Sequence, residues 1–348
     1  MLEKQNYFEY SGIIHIHTKH SNDGSGGDFE QVKTALSKTN VDFCIITDHN
    51  SIEIKEFYGE QIYNNCTILI GEEITPPNKS HHLLALDITN KITATNNYQE
   101  NIDNVNNQNG ISVICHPNIK RTIFILRDLS WSDWNVNGFT GIELWSYMLD
   151  WTKELNIFNI WLYMLFPHWV VKEPDFDIVQ RWEEINNSRK CPCFGCVDAH
   201  ILKLVPFGFN KVFTYEFLFN TIRTNIITLK PLTNNIDDNK KIIYNALKEG
   251  VSFMINYEVC DKKGFRFFVE CDGKLYTIGD TIELNSKTAI FTVQTPIVCE
   301  IRLLRNGENI ASTFDNELDY ICSLPGNYRV ETIYSHRKWI ITNFIYLR

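Results

Sequence analysis

GIIHIHTKHSNDGSG (residues 12–26) starts with a β-branched run ending in two histidines, then adds a third histidine and a glycine-framed loop. His15 and His17 stand two apart, so on a strand both face the same side of the sheet. Two imidazoles held side by side begin a metal site, yet such a pair also occurs as ordinary polar residues at a strand end. The reading turns on whether the rest of the chain supplies partners.

Outward from this stretch, short apolar runs recur at 41–49 (VDFCIITDH), 67–73 (TILIGEE), 82–88 (HLLALDI), 111–117 (ISVICHP), 141–145 (GIELW) and 193–200 (CFGCVDAH). They are too short for helices and carry the β-branched enrichment of buried parallel strands. Helical patterns separate several of them, at 28–38, 52–64, 98–109 and 176–188. Strands alternating with helices predict βαβ units and a parallel sheet; closing seven units gives a (β/α) barrel with its site at the C-terminal strand ends. Every one of the seven runs ends in or contains His, Asp or Glu.

Two regions depart from this pattern. A segment of about 130–175 holds or adjoins seven of the eight tryptophans and reads as an aromatic helical insertion, with a lid over the site as the sharper alternative. From residue 261 onward, short strands such as FRFFVEC, AIFTVQT and YRVETIY alternate with turns, the texture of an antiparallel β-sandwich. The expected organisation is therefore an α/β barrel over 1–260 and a β-sandwich domain over 261–348.

Composition narrows the function classes. The chain has 348 residues, 44% hydrophobic, with a formal net charge of −9, which argues against a long nucleic-acid partner because phosphate backbones need Lys and Arg clusters. The start, MLEKQNYFEY, has no basic flank or apolar run of a signal peptide, and the most apolar segment, 157–166, is too short to span a bilayer. A cytoplasmic protein off the membrane is expected, with its ten cysteines reduced and packed as small apolar residues. CPCFGC (191–196) leads straight into a strand and reads the same way. The sequence leaves the oligomeric state open.

The chemistry gathers at the strand ends. After His15 and His17 come Asp23 in the glycine loop, Asp48 and His49 in TDHN, Glu72 and Glu73 in GEEIT, His81 and His82, His116 in CHP, and Asp198 with His200 in DAH. One ligand from each motif position is too many for a single tetrahedral ion, which takes about four, and suits two or three divalent ions such as Zn, Mn or Fe. Such a cluster points to hydrolysis by a shared hydroxide. Glu143 in GIELW could line the same pocket or stand behind it. Lys120 and Arg121, after HP, could reach a substrate phosphate, and Arg121 is the substrate-binding candidate.

The order HxH, Asp, TDH, GxE, His, HP and DxH over residues 8–260 resembles the polymerase and histidinol phosphatase (PHP) superfamily. That resemblance implies a distorted (β/α)7 barrel, a trinuclear metal site and phosphoester hydrolysis. It picks Glu73 over Glu72 and His82 over His81, so the implied ligands are His15, His17, Asp23, His49, Glu73, His82, His116, Asp198 and His200. Asp48 would stand behind them and orient His49. His81 departs from the glycine usual at its position and reads as surface. Stretches such as PDFDIVQRWEEI and GNYRVETIYSHRKWIITNFIYL resemble a stand-alone branch with an appended β domain, which includes carbamate hydrolases as well as presumed phosphoesterases.

The leading expectation is a metal-dependent phosphoesterase acting on a small phosphomonoester, nucleotide or oligonucleotide end. Carbamate, ester or amide hydrolysis at the same metals is the alternative, mildly favoured by aromatic walls. The third reading is a non-catalytic metal-binding module whose β domain binds a partner.

Overall fold

The computed structural model describes residues 7–22, 26–79, 81–118, 129–201, 213–285 and 287–348. Asp23, Lys120 and Arg121 lie outside them. The first half runs β1 (Phe8–Ile16), α1 (Phe29–Leu36), β2 (Phe43–Ile46), α2 (Glu53–Tyr58), β3 (Gln61–Tyr63), β4 (Cys66–Ile70), β5 (Glu72–Ile74), β6 (Leu83–Leu86), α3 (Tyr98–Asn106) and β7 (Ile111–Ile114). It continues with β8 (Gly141–Ser146), α4 (Tyr147–Lys153), α5 (Ile160–Leu165), α6 (Phe176–Asn186), β9 (Cys193–Cys196), α7 (Tyr215–Leu218), β10 (Ile222–Thr228), α8 (Ile236–Glu249) and β11 (Ser252–Asn256). The tail is all strand: β12 (Arg266–Cys271), β13 (Lys274–Thr277), β14 (Thr281–Ile282), β15 (Ala289–Arg305), β16 (Glu308–Cys322), β17 (Gly326–Tyr334), β18 (Arg337–Thr342) and β19 (Ile345–Leu347).

Local chemistry sets the helices. In α1, Phe29, Val32, Ala35 and Leu36 are buried at helical spacing, and Gln31 Oε1 accepts from the Asp28 N–H at 3.0 Å to close the first turn. Asn97 starts α3 by accepting from Glu100 N–H, and Asp175 starts α6 by accepting from Asp177 and Ile178 N–H. The segment 52–64 departs from its helical expectation: α2 stops at Gly59 and β3 follows, pairing antiparallel with β4.

The strands form two sheets rather than one closed barrel. In the larger sheet β1–β2 and β2–β4 are parallel, and β10 flanks β1 antiparallel. The smaller sheet has the order β5-β6-β7-β8-β9, with β7–β8 and β8–β9 parallel but β5–β6 and β6–β7 antiparallel. The expectation of uniformly parallel βαβ units therefore fails at β6. The loop between β5 and β6 is too short for a crossover helix, so β6 returns as a hairpin partner.

The two sheets touch where the candidate site lies. Gly71 carries the chain from β4 to β5 with Ala85 O so close that an added Cβ would sit 2.7 Å from it. Isolated parallel bridges join Ile16 to Ala199 and His49 to Glu73. Their hydrogen bonds include Ala199 N–H to His15 O at 3.0 Å and Asn50 N–H to Glu73 O at 2.9 Å. Among the described residues this contact stays local, and no continuous barrel closes.

The tail is antiparallel apart from β14–β19, and β15 pairs first with β12 and later with β17. Phe267, Val269, Phe291, Val293, Ile301, Leu303, Val330, Ile345 and Leu347 are buried in its own core. It is not set apart from the first sheet, because β18 pairs with β11 through Phe253↔Thr342 and Met254↔Ile341. The aromatic segment divides: Trp131, Trp145, Trp151 and Trp182 are core, whereas α5 buries none of its residues and leaves Trp161 exposed. All ten cysteines are free. Among the described residues no helix is long and apolar enough to cross a membrane.

Candidate metal centre

The ends of β1, β5, β7 and β9 bring the sequence-spaced residues together around one carboxylate. Glu73, fully buried on β5, has Oε2 at 3.2 Å from His15 Nε2, 3.2 Å from His17 Nε2 and 2.8 Å from His49 Nδ1. Its Oε1 lies 2.7 Å from His82 Nδ1 and 3.5 Å from His116 Nε2. Asp198 Oδ1 makes a second focus, 3.3 Å from His15 Nε2 and 3.1 Å from each of His17 Nε2 and His200 Nδ1. Eight of the nine residues that the resemblance implies as ligands thus converge; the ninth, Asp23, lies outside the described residues.

The backbone bends to do this. His15, His116 and Asp198 have φ of 71°, 27° and 49°, left-handed values that cost a non-glycine residue of order 1–3 kcal/mol each. At His15 the β1–β2 register slips between Ile14 and Ile16. Simple alternation is therefore not what aims His15 and His17 at one place. A bulge does it, leaving the two rings 5.0 Å apart.

Electrostatics follows from the packing. Burial pushes the Glu73 carboxyl up, but the imidazoles of His49, His82 and His15 and the His116 hydrogen bond outweigh it and hold Glu73 well below the carboxylate range. Asp198 is likewise depressed, burial being overcome by His15, His200 and the bond from His17. His15 goes the other way from most buried histidines: burial lowers it, and Asp198, Glu73 and Glu143 raise it well above its ordinary value. His17 is lowered by burial and by His200 and His49.

Behind the ligand atoms, Glu143 Oε2 lies 3.1 Å from His15 Nδ1 and accepts the His116 backbone N–H at 3.3 Å. Glu143 thereby orients His15 with Nε2 toward Glu73 and Asp198. Asp48 does not have the placement expected of it. Both its oxygens go to Thr18, one to the backbone N–H and one to Oγ1 at 2.7 Å, so it braces the turn after His17. Thr75 Oγ1, 2.7 Å from His49 Nδ1, reaches the imidazole that Asp48 was expected to orient.

Other expectations also change. His81 is buried, not at the surface, with its ring stacked 3.5 Å from Tyr98 and edge-on to Trp131. Glu72 points away from Glu73: its Oε2 accepts the Ile92 N–H at 2.9 Å, and burial, opposed by that bond and by Lys91, pushes it up to about 7. Cys115 is buried in the core, as expected of the cysteines, and its sulfur also lies in donor groups with Glu73 and His116 and with His15 and Glu143. The signal was its place one residue before His116.

The residues fit a metal cluster on two observations. Donor atoms of His15, His17, Glu73 and Asp198 lie within 4.8 Å of one another, as do those of His49, Glu73 and His82, and those of His17, His49 and His200. Two buried atoms that face each other in the cluster, His15 Nε2 and Glu73 Oε2, have no hydrogen-bond partner among the described residues. Orphaned buried polar atoms are costly, and coordination would satisfy them. Among imidazoles and carboxylates, the donor set suits divalent transition metals.

No family model matches the sequence, and no curated protein matches it. Solved structures do. A two-domain protein from Bacteroides vulgatus containing a predicted PHP-like metal-dependent phosphoesterase is 12% identical, with 97% of this chain and 95% of that one covered and a TM-score of 0.47. PsfC from Pseudomonas syringae is 11% identical over 72% of this chain and 92% of its own, TM-score 0.40. A candidate metal-dependent phosphoesterase from Bifidobacterium adolescentis is 14% identical over 54% and 87%, TM-score 0.34.

Proposed function

We propose that this protein is a metal-dependent hydrolase of small phosphoesters, binding two to three divalent ions of Zn, Mn or Fe. The observation that carries the reading is the shared carboxylate: Glu73 offers one oxygen to His15, His17 and His49 and the other to His82 and His116. His15, His17, Glu73 and Asp198 would hold one ion and Glu73 with His49 and His82 another, with His116, His200 and Asp23 completing the set. Bound ions of this kind activate water and neutralise charge on phosphoryl oxygens. The chain's own residues preorganise that chemistry. Glu143 fixes the His15 tautomer, Asp48 holds the turn after His17 through Thr18, and Thr75 steadies His49.

In this reading the two touching sheets are a distorted (β/α)7 barrel over 1–260, and 261–348 is an appended β-sandwich domain. The substrate is small, since a net charge of −9 disfavours long nucleic acid. The ester and carbamate alternative keeps only part of its aromatic argument, since Trp131, Trp145, Trp151 and Trp182 are buried in the core whereas Trp161 and Trp169 are exposed.

The test is metal quantitation on protein kept from chelators, with turnover of phosphomonoesters, nucleotides, phosphodiesters, aryl esters and aryl carbamates. We expect about two to three ions per chain and phosphomonoester turnover that chelation abolishes. Fewer than about one ion would sink the cluster assignment. Turnover of carbamates alone would move the reaction to carbonyl carbon, and bound metal without any turnover would leave a non-catalytic module.

A further inference from the structure

Beside the cluster runs a groove of about 320 Å³ whose wall includes Asn50, Thr75, Pro76, Lys79, Lys91 and Ile92. Two of its lining residues neighbour a candidate ligand: Asn50 follows His49 in the chain, and Thr75 Oγ1 is 2.7 Å from His49 Nδ1. The floor is fixed. Asn50 Nδ2 donates to Thr75 O at 2.7 Å, Thr75 N–H donates to Asn50 Oδ1 at 3.0 Å, and Asn50 N–H donates to Glu73 O at 2.9 Å.

In a chain of net charge −9, two lysines on one groove next to a metal centre call for a reason. Both side chains are exposed, and among the described residues neither Lys79 nor Lys91 is held in an ion pair, as Lys33 and Lys240 are. The buried Glu72 carboxyl lies within electrostatic reach of Lys91, and Lys79 keeps the groove in positive excess. An ammonium is a point-charge partner for an oxyanion, and beside a centre that would take the scissile phosphate it selects a second negative group.

We infer that this groove is a substrate subsite for a second oxyanion, so that the preferred substrate is a small phosphoester carrying another phosphate or carboxylate away from the scissile bond. The inference rests on the phosphoesterase reading and names its substrate class.

The test uses metal-loaded protein, wild type against Lys79→Met, Lys91→Met and the double variant. Its kinetic arm compares kcat/KM for butanediol bisphosphate and butyl phosphate. We expect wild type to favour the bisphosphate by about 10-fold or more, mainly through KM and less so at high salt, and the double variant to bring the ratio close to one. Lys79→Arg with Lys91→Arg should restore it. Metal content equal to wild type shows that the variants are folded. Equal kcat/KM in wild type, or a preference that survives in the double variant, overturns the subsite while leaving the phosphoesterase reading intact. If no phosphoester is turned over, that reading fails, and equilibrium binding decides the groove: butanedisulfonate must bind tighter than butanesulfonate, by a margin lost in the double variant, and equal binding overturns it.

Discussion

The surroundings of Glu73 and the core of the C-terminal strands are equally dry and chemically opposite. Glu73, His15, His17 and Glu143 are as inaccessible as Phe291, Val293 and Ile301. In the tail, burial is its own explanation: apolar side chains leave water and every other residue along β12 points inward. Around Glu73, burial works against the residues, because carboxylates and imidazoles lose solvation and several of their atoms find no partner in return. The backbone tells the same story, regular in β12 but forced into left-handed φ at His15, His116 and Asp198. Burial that gathers ionisable side chains with unsatisfied atoms on a strained backbone marks a site; burial of alternating apolar side chains marks the fold.

That contrast breaks first, and hardest, at Glu73. In Glu73→Ala the shared carboxylate is gone from both halves of the cluster. We expect metal content to drop below about one ion per chain and turnover to fall by more than the roughly 10–100-fold typical of changes behind a ligand. Elemental analysis and initial rates read both; full metal content in the variant would refute a bridging role. The counterpart in the tail is Phe291→Ala, which removes a fully buried ring 4.4 Å from Tyr328. It should cost about 3–5 kcal/mol of stability, seen in urea unfolding, with metal content unchanged. Loss of metal there would mean that the two regions are not energetically distinct.

A finer cut falls at Glu143→Gln, which keeps the shape and removes the charge facing His15 Nδ1. Metal affinity or kcat should fall by roughly 10–100-fold while thermal stability moves little. The variant separates a residue that orients a ligand from one that merely fills space, since filling alone would leave affinity untouched.

The sequence makes these regions legible to different depths. The site's members announce themselves because most lie in or beside a short apolar run, and β-branched runs fold as strands whatever they surround. The helices α1, α3 and α6 are equally visible, through apolar spacing and Asp or Asn caps. What stays hidden depends on distant partners. β10 buries Arg223, Thr224 and Asn225 in a row, so it shows no apolar alternation. Arg223 is accommodated by Phe219 O, Thr39 O and Ser11 Oγ, contacts that spacing along the chain does not reveal. The turn-back of β6, the bulge at His15 and the Asp48 bond to Thr18 are hidden for the same reason: each is a choice between local options made by a neighbour far away in sequence.

The smallest effect tests the exception within the tail, where charge is buried but satisfied. Arg329 Nη1 meets Glu331 Oε1 at 2.6 Å, Arg329 Nη2 meets Glu183 Oε1 at 2.6 Å, and Lys338 also pairs with Glu331, tying α6 to β17 and β18. Burial raises the Glu331 carboxyl, and Arg329 and Lys338 more than offset it, so Glu331 sits below its ordinary value. A depressed carboxylate stabilises the fold at pH above its unfolded value, and that contribution disappears as pH falls through the folded one. Glu331→Gln should therefore cost about 1 kcal/mol near neutral pH. The gap in unfolding free energy between wild type and variant should hold down to about pH 5, shrink as pH falls below the ordinary glutamate value of about 4.3, and close once pH has passed the lower folded-state value, where both chains carry a neutral group at this position. A gap that stays constant to low pH would show that the side chain contributes by packing alone, and that the tail, unlike the surroundings of Glu73, draws nothing from its buried charges.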